Sequence, residues 1–413
     1  MAIEVSELKA KGIAMTQTRK GRARHVTRRL IGMATAGTAT AALGAFAFAP
    51  AANAVQPSFG GSPHGVPAVF VQTNDATGNS VIAYARANDG SLHETGEFAT
   101  GGLGGSEAGA VVDPLASQGS LTYDANDHLL FVVNAGSDTF TVFDVDGAYL
   151  HRTQILSSNG HLPTSIGVSG NLMYVLDAGN AGAISGYRID GRFVHPIANS
   201  TRSLGLGNPA DPNFLMSPSQ VAISPDLRDV AVGTKTNGVL DVFTLTHNGV
   251  PSTAPVTTTS AGGVPFALGF DPIGRLLVAE ASGGASSYWV NPDGSLTTIS
   301  AHIANGQTAT CWGAAAKGYI YVANAGSNTI SAYVENWRGQ LSLLNGADVI
   351  ATTDAGPVDM ATTSDGRYLY QEATGAGVID EFKVGDNGSL TLIGTVTGFT
   401  PDNGTGFEGI AAT

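Results

Sequence analysis

From residue 66 onward the chain is written in short apolar runs separated by polar turns. The clearest example reads Leu130-Phe131-Val132-Val133, then Asn134-Ala135-Gly136-Ser137-Asp138, then Thr139-Phe140-Thr141-Val142-Phe143. A near copy reads Ile320-Tyr321-Val322-Ala323, Asn324-Ala325-Gly326-Ser327-Asn328, Thr329-Ile330-Ser331-Ala332-Tyr333. β-Branched and aromatic residues fill both arms and a Gly-containing turn joins them, which is a hairpin pattern. Weaker copies turn at Asn74, Asp177, Thr234, Glu280 and Glu372, so seven turns recur at intervals of 43 to 60 residues. No helical period competes with this pattern between residues 66 and 413.

Each copy carries two more strands. One lies upstream and ends in a turn such as Ser224-Pro225-Asp226 or Asp271-Pro272-Ile273-Gly274. The other follows a downstream turn such as Asn291-Pro292-Asp293-Gly294 or Asp386-Asn387-Gly388. Four strands in a unit of roughly 40–50 residues make a β-propeller blade. The expected fold is therefore all-β, a seven-bladed β-propeller over residues 55–413. Blade 1 lacks an innermost strand, because little precedes Val66 except a Gly/Pro-rich lead. Residues 407–412 read like the inner strand Pro265-Phe266-Ala267-Leu268, so the C-terminal strand is expected to complete blade 1 and close the ring. The longest intervals hold extra loops at 101–119 and 201–218.

Composition narrows the class. The 413 residues are 43% hydrophobic and 13% charged, which excludes a disordered chain, and the single Cys311 excludes a disulfide scaffold. Only residues 30–48 are long and apolar enough to enter a membrane, and six Arg/Lys between Arg19 and Arg29 precede them. Ala52-Asn53-Ala54 follows as a small-x-small cleavage site, so residues 1–54 read as a signal peptide, with Met15 as a second plausible start. Thr27-Arg28-Arg29-Leu30-Ile31 has the form of a twin-arginine signal. This segment holds 8 of the 20 Lys/Arg and 2 of the 33 Asp/Glu, leaving 12 basic and 31 acidic residues after cleavage. A chain so acidic is not expected to bind nucleic acid or an anionic membrane. A secreted monomer is expected.

The repeat Val322-Ala323-Asn324-Ala325-Gly326-Ser327-Asn328-Thr329-Ile330 resembles the Y-V-x-N-x-x-S-N-T-[IV] repeat of seven-bladed propellers. These include bacterial 6-phosphogluconolactonases, fungal carboxymuconate lactonising enzymes and surface-layer repeat proteins. The resemblance covers about residues 66–413 and implies a secreted propeller lactonase, hydrolysing or forming a small-molecule lactone. The alternative is a non-catalytic propeller that binds a ligand, glycan or protein. Two departures bear on substrate. The P-H-Q-V-like segment of the phosphogluconolactonases is Pro218-Ser219-Gln220-Val221 here, and the G-P-R-H-like segment is Val264-Pro265-Phe266-Ala267. Loss of the Arg removes a bidentate anion clamp. A neutral or apolar lactone suits Phe266 better.

Propeller ligands commonly sit where interblade loops and the turns after the second strands converge. Lactone hydrolysis there needs a base, an oxyanion donor and a wall. Glu280 or Glu372 is the expected base, and Lys235 the expected oxyanion donor, meeting Glu280 at the channel mouth. Gln220, Gln118, Phe266, Trp312, His161 and Glu408 are expected to bind substrate. Glu107 and Asp359 also lie in mouth-facing loops. His161 also reads as a surface histidine. Cys311 has no matching His and reads as a small buried hydrophobe. No cofactor is required by these residues. A divalent cation on Asn134, Asp177, Glu280, Asn324 and Glu372 is the rival mechanism, since these oxygen donors occupy equivalent turns.

Export is directly checkable. Mass spectrometry of secreted material should show a mature chain starting near Val55. Replacing Arg28 and Arg29 by Lys should abolish export by the twin-arginine route; undiminished export would assign the general secretory route instead.

Overall fold

The computed structural model describes residues 62–401 and 406–413. The expected signal peptide, its expected cleavage site and Met15 lie outside the described residues. Seven antiparallel sheets follow one another along the chain, six of them built from consecutive strands. The seventh, blade 1, takes Ala68–Gln72, Ser80–Arg86 and Leu92–Ala99 from the N-terminal side and Ile410–Ala412 from the C-terminus. Val69 faces Ala412, Phe70 faces Ala411 and Val71 faces Ile410. The C-terminal strand thus supplies the missing inner strand, as the repeat implies.

The seven inner strands are Ile410–Ala412, Leu121–Asp124, Pro163–Ser169, Pro218–Ile223, Pro265–Phe270, Thr310–Ala316 and Pro357–Thr362. Each packs against the next, and the last packs against the first. The ring of inner strands is therefore unbroken. Second strands are buried on both faces, as in Leu129–Asn134, Leu172–Asp177 and Tyr368–Ala373. That explains their unbroken apolar runs: a blade between two blades has no solvent face. Outer strands such as Leu92–Ala99 face water and lose the apolar run.

The core lies between blades. Phe131, Val133, Phe140 and Val142 of blade 2 pack on Ile166, Met173, Val175 and Tyr187 of blade 3. Val69, Val71 and Tyr84 of blade 1 pack on Tyr370 and Ile379 of blade 7 across the closure. Full burial of each such side chain contributes about 1.5–3 kcal/mol. Buried tyrosines need a partner for the hydroxyl, and the repeat provides one. Tyr174, Tyr321 and Tyr370 each donate to a glycine carbonyl in the next blade's outer turn, at Gly249, Gly388 and Gly90 (2.6, 3.1 and 2.7 Å). Gly90 adopts φ 96°, and a Cβ there would overlap the Tyr368 ring, so the turn accepts no larger residue.

Inner strands start, and second strands end, on one face of the ring. The expected sites lie on that face.

Candidate functional site

The loop at 101–119 leaves blade 1 and crosses this face before entering the inner strand of blade 2. Gly104 N–H donates to Asp75 O (2.8 Å), and Gly136 N–H donates to Leu103 O (3.0 Å). The second extra loop meets it midway: Ala108 N–H donates to Pro212 O (2.9 Å) and Phe214 N–H to Ala108 O (3.2 Å). Further along, Thr374 of blade 7 donates its hydroxyl to Val112 O. The two insertions therefore form one cover.

Asp113 organises the far end of that cover. Its carboxylate accepts the amides of Leu115 (2.9 Å), Ala116 (2.6 Å) and Ser117 (3.0 Å), a turn pattern typical of Asp before Pro. It also accepts Trp312 Nε1–H (3.1 Å), which is shared with Ser117 O (2.8 Å). Glu408, just before the closing strand, accepts the same Leu115 amide (2.7 Å). Gln118 then spans to blade 6, donating Nε2–H to Gly313 O and accepting Gly313 N–H, both at 2.8 Å.

Lys235 sits beneath the cover. Its ammonium donates to Ala116 O, lies 3.8 Å from Glu107 Oε2 and stands 5.4 Å from the Phe266 ring centroid. Phe266 in turn meets Trp312 edge to face, with centroids 4.8 Å apart. Glu107 also accepts the Ser217 hydroxyl at 2.5 Å, tying the second insertion to the same cluster. Both partners of the Lys235–Glu107 pair are buried, which makes the pair sensitive to loss of either member.

Burial sets the electrostatics. It pushes the Glu107 carboxyl up to about 8 against the pull of Lys235. It raises Asp113, with Glu408 and Lys235 opposing, and lowers Lys235, with Glu107 and Asp113 opposing. Glu408 lies well above the usual carboxylate range through burial and then the neighbouring Asp113; Asp359 does so for the same two reasons. Burial also pushes the Cys311 thiol up, so it is held neutral and unsuited to nucleophilic attack.

The expected residues divide into two groups. Lys235, Phe266, Trp312, Gln118 and Glu408 come together at the mouth. Glu372 lies close by, accepting Gly409 N–H at 3.1 Å. Glu280 does not meet Lys235. It accepts Ser260 Oγ–H (2.6 Å) and Gly262 N–H (2.7 Å) from the loop between blades 4 and 5, and Ser286 Oγ–H (2.9 Å) from blade 5, and pairs with His302 Nδ1 (3.0 Å) of blade 5. The reason is register. Glu280 ends its strand as Thr234 does, whereas Lys235 comes one residue later, and one step along a strand reverses a side chain. His161 stands apart with Asp138 (2.9 Å) and Asp211 (3.7 Å), and Asp138 raises it.

The rival cation ligands do not converge either. Asn134 bonds Asn79, Thr139 and Thr141, while Asn324 bonds Asn305, Thr310, Thr329 and Ser331, each in or beside its own blade. Among the described residues, no three His, Cys, Asp or Glu side chains are grouped to hold a metal ion. Asp113 was missed by pattern reading, since an insertion has no repeat register; Asp113-Pro114 marks only a turn.

Below the cover, the inner strands enclose a channel of about 550 Å³, lined by Leu121, Val221, Leu268 and Met360. Its covered end is formed by Gln118, Gln220 and Asp359; Gln220 is held by Leu268 N–H at 2.5 Å. Its other end reaches Ser169, Pro225 and Pro272, in the turns of the opposite face.

No protein-family model matches the chain, and a search of curated proteins returned no match. Solved structures do match. The periplasmic gluconolactonase of Pseudomonas aeruginosa superposes with a TM-score of 0.60 at 16% identity, over 80% of this chain and 96% of that one. A Bacteroides uniformis protein provisionally assigned as a 6-phosphogluconolactonase gives the same values. A Lactobacillus plantarum protein reaches 0.61 at 13% identity, over 84% of this chain and 100% of its own. At these identities the likeness is one of fold, and it is the propeller fold expected from the repeats.

The equivalent turns offer a clean test of buried charge. Asp177 occupies the place of Asn134 and Asn324 and is pushed up to about 8, mainly by burial. The folded chain then keeps a proton that the unfolded chain releases near pH 4, so stability falls as pH rises from about 4 to 8. Asp177→Asn should raise the melting temperature by several degrees at pH 8 and leave it unchanged near pH 4. An equal shift at both pH values would reject this account.

Proposed function

We propose that the protein is an exported propeller lactonase acting on a neutral, largely apolar lactone at the channel mouth. The observation that carries this reading is the Lys235 ammonium, buried against Phe266 among carboxyls, with Trp312 packed on that ring. Strongly perturbed titratable groups in the mouth of a rigid fold are characteristic of catalytic sites. The fold supports the same reading, because neighbours in structure include a gluconolactonase.

The chemistry follows from the groups present. With the cover displaced, Phe266 and Trp312 form a wall for the lactone ring. The Lys235 ammonium lies beside the carbonyl oxygen and stabilises the tetrahedral oxyanion. Glu408 takes the proton from the attacking water. The C–O ring bond then breaks, and the leaving alkoxide recovers that proton from Glu408 to give the hydroxy acid. Glu372 positions the base by holding Gly409 N–H. Glu280, one of the two expected bases, has its oxygens engaged by Ser260, Gly262, Ser286 and His302, so we assign the role to Glu408.

A second reading has its own support. The mouth is filled by the 101–119 loop, which suits a binding propeller without turnover.

A panel of lactones, assayed with and without a chelator, decides between them. Lys235→Met should lower turnover by about a hundredfold or more. Glu280→Gln should leave it within a fewfold, and chelator should have no effect. Loss confined to Glu280→Gln would return the base to blade 5. Binding of a lactone without hydrolysis by the wild type would establish the binding propeller.

A further inference from the structure

The cover is fastened to the ring at one unusual point. Asp113 belongs to the cover and Glu408 to the ring, and both carboxyls accept the Leu115 amide, at 2.9 and 2.7 Å. Both are buried, at 4% and 0% exposure. Two buried carboxyls against one N–H share a stable arrangement only while a proton lies between them.

We propose that residues 105–118 are a plug latched by a proton held between Asp113 and Glu408, and that loss of this proton in alkaline medium opens the channel mouth. The segment is built to move as a unit. Gly101 and Gly119 bracket it with φ of 83° and 87°, the left-handed region that glycine enters freely. One group of its fastenings to the ring meets at the latch, while Asn74 holds Gly105, Thr374 holds Val112, and Ser219 and Gly313 hold Gln118 elsewhere. At the latch, Trp312 bonds Asp113 and Ser117 O, Lys235 bonds Ala116 O, and Glu408 meets Leu115.

The surrounding charges favour a switch. Lys235 of blade 4 faces Glu107 and Asp113 of the plug and Glu408 of the ring. Asp359 of blade 7 faces Asp113 and Glu408, and the Cys311 thiol of blade 6 faces Asp113 and Lys235. Glu372 of blade 7 reaches the neighbouring Gly409. One ammonium cannot balance four carboxyls once they ionise. The repulsion is relieved when the plug, carrying Glu107 and Asp113, swings away from Glu408 and Asp359. The role of this motion in admitting a lactone rests on the proposed function; the latch itself does not.

Hydrogen exchange across a pH series reads the latch without any substrate. After correction for the intrinsic rate, protection of the Leu115, Ala116 and Ser117 amides should fall at least tenfold between pH 7 and pH 9.5. Protection at Val132 and Val175, in the blades, should not change. Glu408→Gln supplies a permanent N–H where the proton sat, so its plug should stay protected through the same range. Constant protection in the wild type overturns the proposal, as does opening of Glu408→Gln in step with it. If that variant does not fold, the wild-type series decides alone. Absence of lactone hydrolysis would sink the functional reading and leave this result standing.

Discussion

The pairing of Ile410–Ala412 with Val69–Val71 is the constraint on which the molecule depends. A propeller without it would be an open array with two exposed inner edges, at blades 1 and 7. With it, every inner strand has two neighbours and every interblade core is sealed. The closing strand is only three residues long. Its hold is reinforced immediately upstream, where Gln72 N–H donates to Gly409 O (2.9 Å) and Glu408 N–H to Gln72 O (3.1 Å). The approach to the closing strand is thus tied to Gln72 at the channel mouth, while Thr413 N–H donates to Ala68 O (3.0 Å) at the opposite face.

That placement links closure to chemistry. The residue that enters the closing strand's approach, Glu408, is also the ring's contact with Asp113 and Leu115. A carboxyl there is costly to bury. It is tolerated because its neighbours supply an amide, a hydroxyl and an adjoining acid, and because Lys235 places a compensating charge in the same space. Fold and site are therefore not separable at this point. The strained electrostatics of the mouth are supported by the closed ring around them.

Much of the fold is legible in the residues, and the reason is physical. Each blade needs two buried middle strands, a polar hairpin turn and an outer strand that meets water. Leu130–Phe143 and Ile320–Tyr333 carry that requirement openly, and weaker copies follow by spacing. The missing inner strand of blade 1 is legible because its edge would otherwise stay unpaired. The site is less legible. Lys235, Phe266 and Trp312 are recognisable as unusual residues at the mouth, but their partners come from insertions that carry no repeat. Glu280 is misplaced by pattern alone, because alternation turns it into blade 5 while Lys235, one residue farther along, turns inward. Asn134 and Asn324 look like ligands in sequence and serve as hairpin braces in space.

The central claim is that the two insertions seal Lys235 beneath a cover. Among the described residues the lysines are Lys235, Lys317 and Lys383, and the latter two reach solvent. Amine-directed labelling of the folded protein at neutral pH, read by peptide mass spectrometry, compares them within one sample. The account predicts rapid modification of Lys317 and Lys383 with Lys235 left unmodified until the protein is unfolded. Modification of Lys235 at the rate of the other two would contradict it.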